Sequence, residues 1–259
     1  MYNETPFALG APSSRKSPLD FVPADDSLLM RFNAHFRTFT AKTPEQIREA
    51  QKIRYQVYCI ENSLENPNPQ GIETDCFDSH SVHSLLIYRA AGTALGTVRL
   101  ILPVFDEAEH SFPMQHVLGA SALREFRRLP LHSAAEVSRF SISRQLRRFA
   151  EGNNEEQTEF VSVSGPLMRL GLIQSLVRMS FEHGITHWCA MMEPTLLRML
   201  AAMAIRFRPV GPLVEFHGLR QPCYCSLADI LQAVRKERPA FWSVLTNGGA
   251  LLESAVVAA

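Results

Sequence analysis

The sequence lacks the features that mark secreted, membrane-spanning and nucleic-acid-binding proteins. Its five cysteines are an odd number and form no C-x-x-C pair, so a reducing, cytoplasmic location is expected rather than a disulfide framework. No basic-then-apolar leader pattern opens the chain. No apolar run reaches about 18 residues, the length that a membrane span needs. The 26 basic residues balance 26 acidic ones, so the overall charge does not predict nucleic acid as a partner.

The chain has ample material for a core. Hydrophobic residues make up 46% of 259 residues. Residues 1–26, rich in Pro, Ser, Asp and Ala, predict a flexible tail. We expect residues 27–259 to form a single domain, because no linker interrupts residues 30–236.

The periodicity predicts a mixed sheet with helices on both faces. Thr43 and Pro44 are typical of a helix start, and the helix should end near Cys59. A second, long helix is expected from Ser164-Gly165-Pro166 to about His183. Strands are predicted at 31–40, 81–89, 94–102, 135–143 and 185–192, with one or two more between 208 and 226, and further helices at 194–205 and 227–236. This order indicates an α/β, three-layer αβα architecture.

Charged residues interrupt segments that are otherwise apolar. Glu136 and Arg139 lie three residues apart in the predicted strand 135–143. Charged side chains are rarely buried without a partner, because removing their water is costly. Similar anomalies occur upstream, at Arg54 on a helix, Asp75 and Asp78 in a turn, and Arg99 in a strand. Together they indicate a polar site built into a hydrophobic sheet.

Four motifs in register carry a family resemblance. They are Arg54 on the first helix, Glu73-Thr74-Asp75-Cys76-Phe77-Asp78, Gly96-Thr97-Val98-Arg99-Leu100 and Glu136-Val137-Ser138-Arg139-Phe140. Their order and spacing resemble the autoinducer synthases that make acyl-homoserine lactones. The resemblance covers about residues 31–205 and implies the fold of the Gcn5-related N-acetyltransferase (GNAT) superfamily.

Two segments depart from the lactone synthases. The loop after the first helix has polar residues and Leu64 where that family has aromatics. The segment 211–222 is more similar to N-acyl amino acid synthases and to acyltransferases associated with exosortase (PEP-CTERM) systems. This branch implies an amine acceptor other than S-adenosylmethionine.

The resemblance implies roles for the motif residues. Amide formation from a thioester needs a free amine, and Glu136 is the candidate base because burial raises a carboxyl pKa. Backbone N–H groups near Ser141 and Ser143 would bind the oxyanion. The superfamily's sheet opens at this strand and admits the donor beside the strand 185–192. Five residues either bind the acceptor or form a buried salt-bridge network: Arg54, Asp75, Asp78, Arg99 and Arg139.

The donor is expected to be an acyl-phosphopantetheine thioester on acyl carrier protein, with no separate cofactor. Users of acetyl-CoA in the superfamily have a glycine-rich loop for the pyrophosphate, and this chain has Val161-Ser162-Val163-Ser164-Gly165-Pro166 there. A basic set would suit the acidic carrier: Arg124, Arg127, Arg128, Arg144, Arg147, Arg148 and Arg169.

No metal site is predicted. His80 and His83 would point to opposite faces of a strand, and Cys223 and Cys225 are interpreted as buried thiols. Met191, Met192, Met199 and Met203 either line an acyl tunnel or pack in the core.

The sequence therefore predicts an N-acyltransferase that joins a long fatty acyl group from acyl carrier protein to the amine of an amino acid or a related small molecule. Its product could pass to a membrane. The alternatives are a lactone synthase that consumes S-adenosylmethionine and a non-catalytic acyl-binding or carrier-binding regulator.

Overall fold

A mixed sheet of eight strands forms the middle of the fold. The computed structural model describes residues 27–107, 110–145, 148, 157–216 and 218–257, so the tail predicted for 1–26 lies outside the described residues. The strands run in the order β1-β2-β3-β4-β5-β8-β6, and β7 pairs with β8. They are β1 Phe36–Thr40, β2 Ser81–Tyr88, β3 Thr93–Ile101, β4 Ala134–Ile142, β5 His187–Met192, β6 Arg208–Pro209, β7 Val214–Glu215 and β8 Leu219–Ser226.

Helices cover both faces of this sheet. They are α1 Ser27–His35, α2 Pro44–Tyr55, α3 Ala120–Phe126, α4 Gln157–Glu182, α5 Pro194–Ala202, α6 Leu227–Glu237, α7 Pro239–Thr246 and α8 Ala250–Val257. The long α4 packs across β1, β2 and β3, whereas α2 packs on β2, β3 and β4. The predicted three-layer α/β architecture is therefore confirmed. None of the described helices is both long and apolar enough to cross a membrane.

The start of α2 follows from its sequence. Thr43 accepts a hydrogen bond from the N–H of Gln46, and the Gln46 side chain accepts from the N–H of Thr43. This reciprocal capping box satisfies N–H groups that a helix end leaves unpaired. The α-helix ends at Tyr55, and a π-helical turn, Gln56–Glu61, continues it. The predicted end near Cys59 therefore falls inside that turn.

The strand predicted at 31–40 is wrong in its first half. Residues Ser27–His35 form α1, and only Phe36–Thr40 form β1. Phe32 and Phe36 are both buried, with ring centroids 5.9 Å apart. Residues four apart share one face of a helix and also one face of a strand, so the pattern alone did not separate the two structures.

The predicted helix start at Ser164-Gly165-Pro166 is also wrong. Helix α4 begins at Gln157, so the segment 161–166 is helical rather than a loop, and Pro166 lies inside the helix. Proline is most common in a first turn, because it has no N–H to donate. The long helix tolerates this loss because its face is buried against the sheet.

Two C-terminal helices were not predicted, and α4 explains how they are held. Gln174 on α4 is buried and bridges the first strand to α7. The Thr38 hydroxyl donates to its amide oxygen at 2.6 Å, and its amide nitrogen donates to the carbonyl of Val244 at 2.6 Å. The C-terminal helices thus complete the core on the α4 face.

Candidate active site

The sheet opens immediately after Glu136. Strands β4 and β5 are parallel and pair only at three positions, of which Glu136 with Cys189 is the last. Beyond this pair β4 continues to Ile142 and β5 to Met192 without pairing to each other. A cavity of about 560 Å³ lies in this opening, as the family resemblance implies.

The lining of this cavity combines polar groups with a larger number of apolar side chains. Ser138, Arg139, Ser143, Arg144 and Arg169 supply polar groups. The apolar lining includes Phe140, Ile142, Ile173, Leu176, Trp188, Met191, Met192, Leu196, Met199, Leu200 and Phe207. Three of the four methionines thus line the cavity, whereas Met203 packs against the core.

A bulge in β4 shapes the mouth of the cavity. Arg99 pairs with Ser138 and Thr97 with Ser141, so two residues of β4 stand opposite Val98 alone. Arg139 occupies this bulge with a φ of 51°. A left-handed conformation costs a residue with a side chain about 1–2 kcal/mol, so the surrounding contacts must hold it. Beside the bulge, a Cβ on Gly96 would lie 2.8 Å from the carbonyl oxygen of Ser141, so only glycine fits there.

Three arginines and three carboxylates form one connected network around the bulge. Arg139 donates to both carboxylate oxygens of Glu73, at 2.8 Å from Nη2 and 3.1 Å from Nε, and its Nη2 also donates to Asp75 at 3.1 Å. Arg99 donates to Asp75 at 2.6 and 2.8 Å and to Asp78 at 2.7 Å. The guanidinium of Arg139 also lies 4.9 Å above the Tyr58 ring.

Arg54 completes the network from α2. It is fully buried and donates to Glu73 and, at 2.6 Å, to Asp78. Asp75 and Asp78 are held by the short 3₁₀ helix Cys76–His80, of which Asp75 is the N-cap. The structure therefore brings together all five residues predicted for acceptor binding or a salt-bridge network, and it adds Glu73.

Two carboxylates of the network, those of Glu73 and Asp78, are held ionised. Burial alone would raise the pKa of Glu73, but hydrogen bonds from Arg139 and Arg54 outweigh it and lower that pKa to about 2. Burial opposes ionisation of Asp78 in the same way, and Arg54 and Arg99 lower its pKa to about 2. His83 is neutral at pH 7, because burial and the nearby Arg54 lower its pKa to about 4.

Glu136 stands outside this network in a different electrostatic state. Burial raises its pKa to about 7, although the N–H of Met114 and the charges of Arg99 and Arg139 oppose the shift. The Met114 N–H donates to Oε2 at 3.0 Å. Glu136 also lines a second pocket of about 140 Å³, together with Asp75, Arg99 and Arg139. The two pockets share Tyr58, Val137, Ser138, Arg139, Met191 and Arg220.

The predicted oxyanion donors at Ser141 and Ser143 need correction. The Ser143 N–H donates to the carbonyl of Leu95 at 3.0 Å. Because N–H groups alternate along a strand, that of Ser141 faces β3 as well, where Ser141 pairs with Thr97. The N–H of Ile142 points to the opposite, open edge. The Ser143 hydroxyl donates to Glu61 at 2.7 Å.

The predicted carrier-docking arginines fall into two groups. Arg144 and Arg169 line the large cavity, and Arg148 is exposed just beyond β4. Arg124, Arg127 and Arg128 are exposed on and after α3 and line neither cavity. Arg147 lies outside the described residues.

The comparisons with known proteins agree with this geometry. Residues 53–151 match the family model described as the acetyltransferase (GNAT) domain. Residues 53–151 thus resemble a GNAT acetyltransferase domain. No curated protein matches the chain significantly. The GNAT fold implied by the motifs is therefore confirmed, and the domain match supports an acyltransferase.

Solved structures share this GNAT fold at low sequence identity. TofI in a ternary complex with an inhibitor and MTA has a TM-score of 0.55 at 19% identity, covering 79% of this chain and 99% of that chain. BjaI, a CoA-dependent acyl-homoserine lactone synthase with SAM and isopentyl-CoA, has a TM-score of 0.54 at 16% identity, covering 82% and 88%. FeeM, an N-acyl amino acid synthase from uncultured soil microbes, is less similar, with a TM-score of 0.49 at 16% identity, covering 76% and 95%; the shared fold rests on the other two structures.

Three further residues of the GNAT site were not assigned a role from the sequence. Glu73 is the first residue of the motif Glu73-Thr74-Asp75-Cys76-Phe77-Asp78, and its place in that motif could have indicated a role in the site. Glu61 accepts hydrogen bonds from the N–H groups of Arg144 and Gln145 at 3.0 and 3.1 Å and so ties the π-helical turn to the end of β4. Arg220 reaches both pockets from β8, and nothing in its local pattern predicts this.

Proposed function

We propose that this protein is an N-acyltransferase that moves a fatty acyl group from a carrier-bound thioester to the amine of an amino acid. The main support for the proposal is the position of Glu136, a buried carboxyl that lines the small pocket. A carboxyl with a pKa near 7 lines a small pocket, together with Asp75 and three arginines, and this pocket adjoins a large, mainly apolar cavity at Ser138 and Arg139. A group that can take a proton thus lies where a nucleophile and an acyl group would meet.

The chemistry follows from this arrangement. Glu136 accepts a proton from the acceptor's ammonium, directly or through a water, and frees the amine lone pair. The amine nitrogen forms a bond to the thioester carbon and loses a second proton, the carbon–sulfur bond breaks, and the sulfur takes up that proton and leaves as a thiol.

The large cavity suits a fatty acyl chain. Its volume of about 560 Å³ lies within the usual range for small-molecule sites, and most of its lining is aliphatic, aromatic or methionine. Each methylene that leaves water contributes about 0.8 kcal/mol, so a long chain gains most from this lining. Methionine adapts its shape to flexible partners, which suits chains in several conformations.

The small pocket suits an acceptor no larger than an amino acid. Its volume of about 140 Å³ is that of roughly five water molecules in the liquid. The loop without the aromatics of the lactone synthases favours a simple amino acid over S-adenosylmethionine, which carries an adenosine in addition to its amino acid part.

Lactone synthesis is the second candidate function. Its support is the four-motif resemblance around the ion network, which is the site that the lactone synthases would also need. It predicts consumption of S-adenosylmethionine, which distinguishes it from the first proposal.

One product analysis separates the candidates. Purified protein is incubated with acyl-carrier thioesters of several chain lengths, all twenty amino acids and S-adenosylmethionine, and products are identified by mass spectrometry. We expect N-acyl amino acids and free carrier thiol, with S-adenosylmethionine unchanged. Acyl-homoserine lactone as the product would replace the first proposal by the second, and intact thioester would leave only a binding protein.

The donor side leads to a prediction about Arg144 and Arg169. Replacing both by alanine is expected to lower kcat/KM for an acyl-carrier donor about tenfold, because rim charges of an interface mainly raise the association rate with an oppositely charged partner. The loss should shrink at high salt. Steady-state kinetics with acyl-carrier and acyl-CoA donors measures it.

Two comparisons make this test specific. Acyl-CoA does not present the carrier's acidic surface, so its kcat/KM should change much less. Arg208→Ala removes an exposed arginine on β6 that lies outside the predicted docking set and lines neither cavity, so it is the matched control. Equal losses with both donors would refute carrier docking at this rim.

A further inference from the structure

Arg220 on β8 is the residue of the small pocket that the mechanism above leaves without a role. It lines both pockets, and its side chain is 15% exposed. Gly218, with a φ of 89°, and the pairing of Arg220 with Val214 place it at the start of the strand. It therefore faces the junction where the acceptor and the acyl carbon must meet.

Two other arginines line the small pocket, and both are already neutralised. Arg99 is bonded to Asp75 and Asp78, and Arg139 to Glu73 and Asp75. Those carboxylates cannot leave without exposing buried guanidinium groups, which would be costly. The positive charge of each arginine is already balanced by these carboxylates, so neither is expected to bind an incoming anion strongly.

The pairing of Arg220 is of a weaker kind. Its Nη1 lies 3.1 Å from Oε1 of Glu193, and the side chain of Glu193 is 55% exposed. Water competes for the carboxylate of Glu193, because more than half of that side chain is exposed, and this weakens the pair. Glu193 can therefore return to water at small cost when another carboxylate arrives.

We infer that Arg220 binds the α-carboxylate of the acceptor, so the acceptor is a free amino acid rather than an amine, an amide or a peptide. This inference rests on the proposed acyl transfer. A guanidinium matches a carboxylate through two parallel hydrogen bonds, which fixes orientation as well as position. With its carboxylate held by Arg220, the amino acid would present its amine to Glu136 in the same pocket.

The test compares amino acids with their amides. Wild type, Arg220→Ala, Arg220→Lys and Glu193→Gln receive an acyl-carrier thioester and an equimolar mixture of L-amino acids and the corresponding L-amino acid amides, which keep the amine and lose the charge. Mass spectrometry gives the ratio of acid to amide products. Arg208→Ala, an exposed arginine on β6 that lines neither pocket, is the control.

The expected signature has two opposite parts. Arg220→Ala should lower the acid-to-amide ratio about 10- to 100-fold, the value of a hydrogen-bonded charged pair, and Arg220→Lys should restore part of it. Glu193→Gln removes the competing carboxylate and should lower KM for the amino acid. If Arg220 had a purely structural role, Arg220→Ala would reduce the acid and amide products equally. Glu193→Gln would then not lower KM for the amino acid.

The outcomes separate this inference from the proposed function. An unchanged ratio in Arg220→Ala, or a wild-type preference for amides, would overturn the role of Arg220 and leave acyl transfer standing. N-acyl product from neither class of amine would overturn both. Folded Arg220→Ala protein with a lowered acid-to-amide ratio, partly restored in Arg220→Lys, is the supporting result.

Discussion

Glu136→Gln is expected to lower the rate of acyl transfer by about 10²–10⁴-fold, the usual contribution of a general base. Glutamine keeps the shape of the side chain and an oxygen for the Met114 N–H, which donates to Glu136 at 3.0 Å. It cannot accept a proton from the acceptor's ammonium. The measurement is steady-state turnover with the donor and acceptor identified by product analysis.

The same substitution should leave the fold intact and more stable at alkaline pH. The pKa of Glu136 is raised from 4.5 to about 7, so the fold favours the protonated carboxyl and loses stability as pH rises from 4.5 through 7. The loss amounts to about 3 kcal/mol, since one pKa unit is about 1.4 kcal/mol. Thermal unfolding at pH 5 should therefore give similar midpoints for both proteins, and at pH 8 the variant should be higher.

The pH dependence of turnover provides an independent check. If the ionised form of Glu136 is the base, kcat/KM should rise about tenfold per pH unit up to about 7 and then level off. Glu136→Gln should have no such rise in its residual activity. A Glu136→Gln protein with wild-type turnover, or an unchanged pH profile, would remove Glu136 from the mechanism.

The sequence predicted the polar site better than it predicted the helices. Arg54, Asp75, Asp78 and Arg99 were conspicuous because a charge inside an apolar pattern must have a partner, and the structure pairs each of them. Partner identity was harder, since it depends on which segments meet in the fold. Glu73 contacts Arg139, which is 66 residues away, and no local rule connects the two.

The bulge at Arg139 shows why the geometry of the site was beyond sequence rules. A bulge is a mismatch between two strands, here two residues of β4 opposite Val98, and neither strand encodes it alone. The same shift moved the Ser141 and Ser143 N–H groups toward β3. In a regular strand, successive N–H groups point to opposite edges. Counting along β4 from Glu136 without the bulge therefore assigns the wrong edge to every N–H group after the bulge.

Glu73→Gln is expected to destabilise the fold by about 3–5 kcal/mol, the typical cost of removing one partner from a buried ion pair. Glu73 is 6% exposed and binds both Arg54 and Arg139. Loss of its negative charge therefore leaves two buried guanidinium groups without one of their carboxylate partners. Urea unfolding at pH 7 measures the change. Glu125→Gln breaks an exposed pair with Arg128 and should cost no more than about 1 kcal/mol.

The size of the Glu73 effect should depend on pH in a defined direction. Its pKa is lowered from 4.5 to about 2, so its stabilisation is complete above pH 4.5 and is lost as pH falls toward 2. The difference between wild type and Glu73→Gln should therefore shrink across that interval. A difference below about 1 kcal/mol at pH 7 would contradict a structural network.

A large loss would also connect stability with catalysis. Arg139 keeps a φ of 51°, and the Glu73 carboxylate is the main contact that holds its guanidinium there. Without that contact, relaxation of Arg139 would release the strain and pull β4 toward regular pairing. The opening between β4 and β5 begins three residues earlier, at Glu136, so the base and the bulge share one strand. Glu73→Gln should therefore lower turnover as well, even where the protein remains folded, because the network keeps the cleft open.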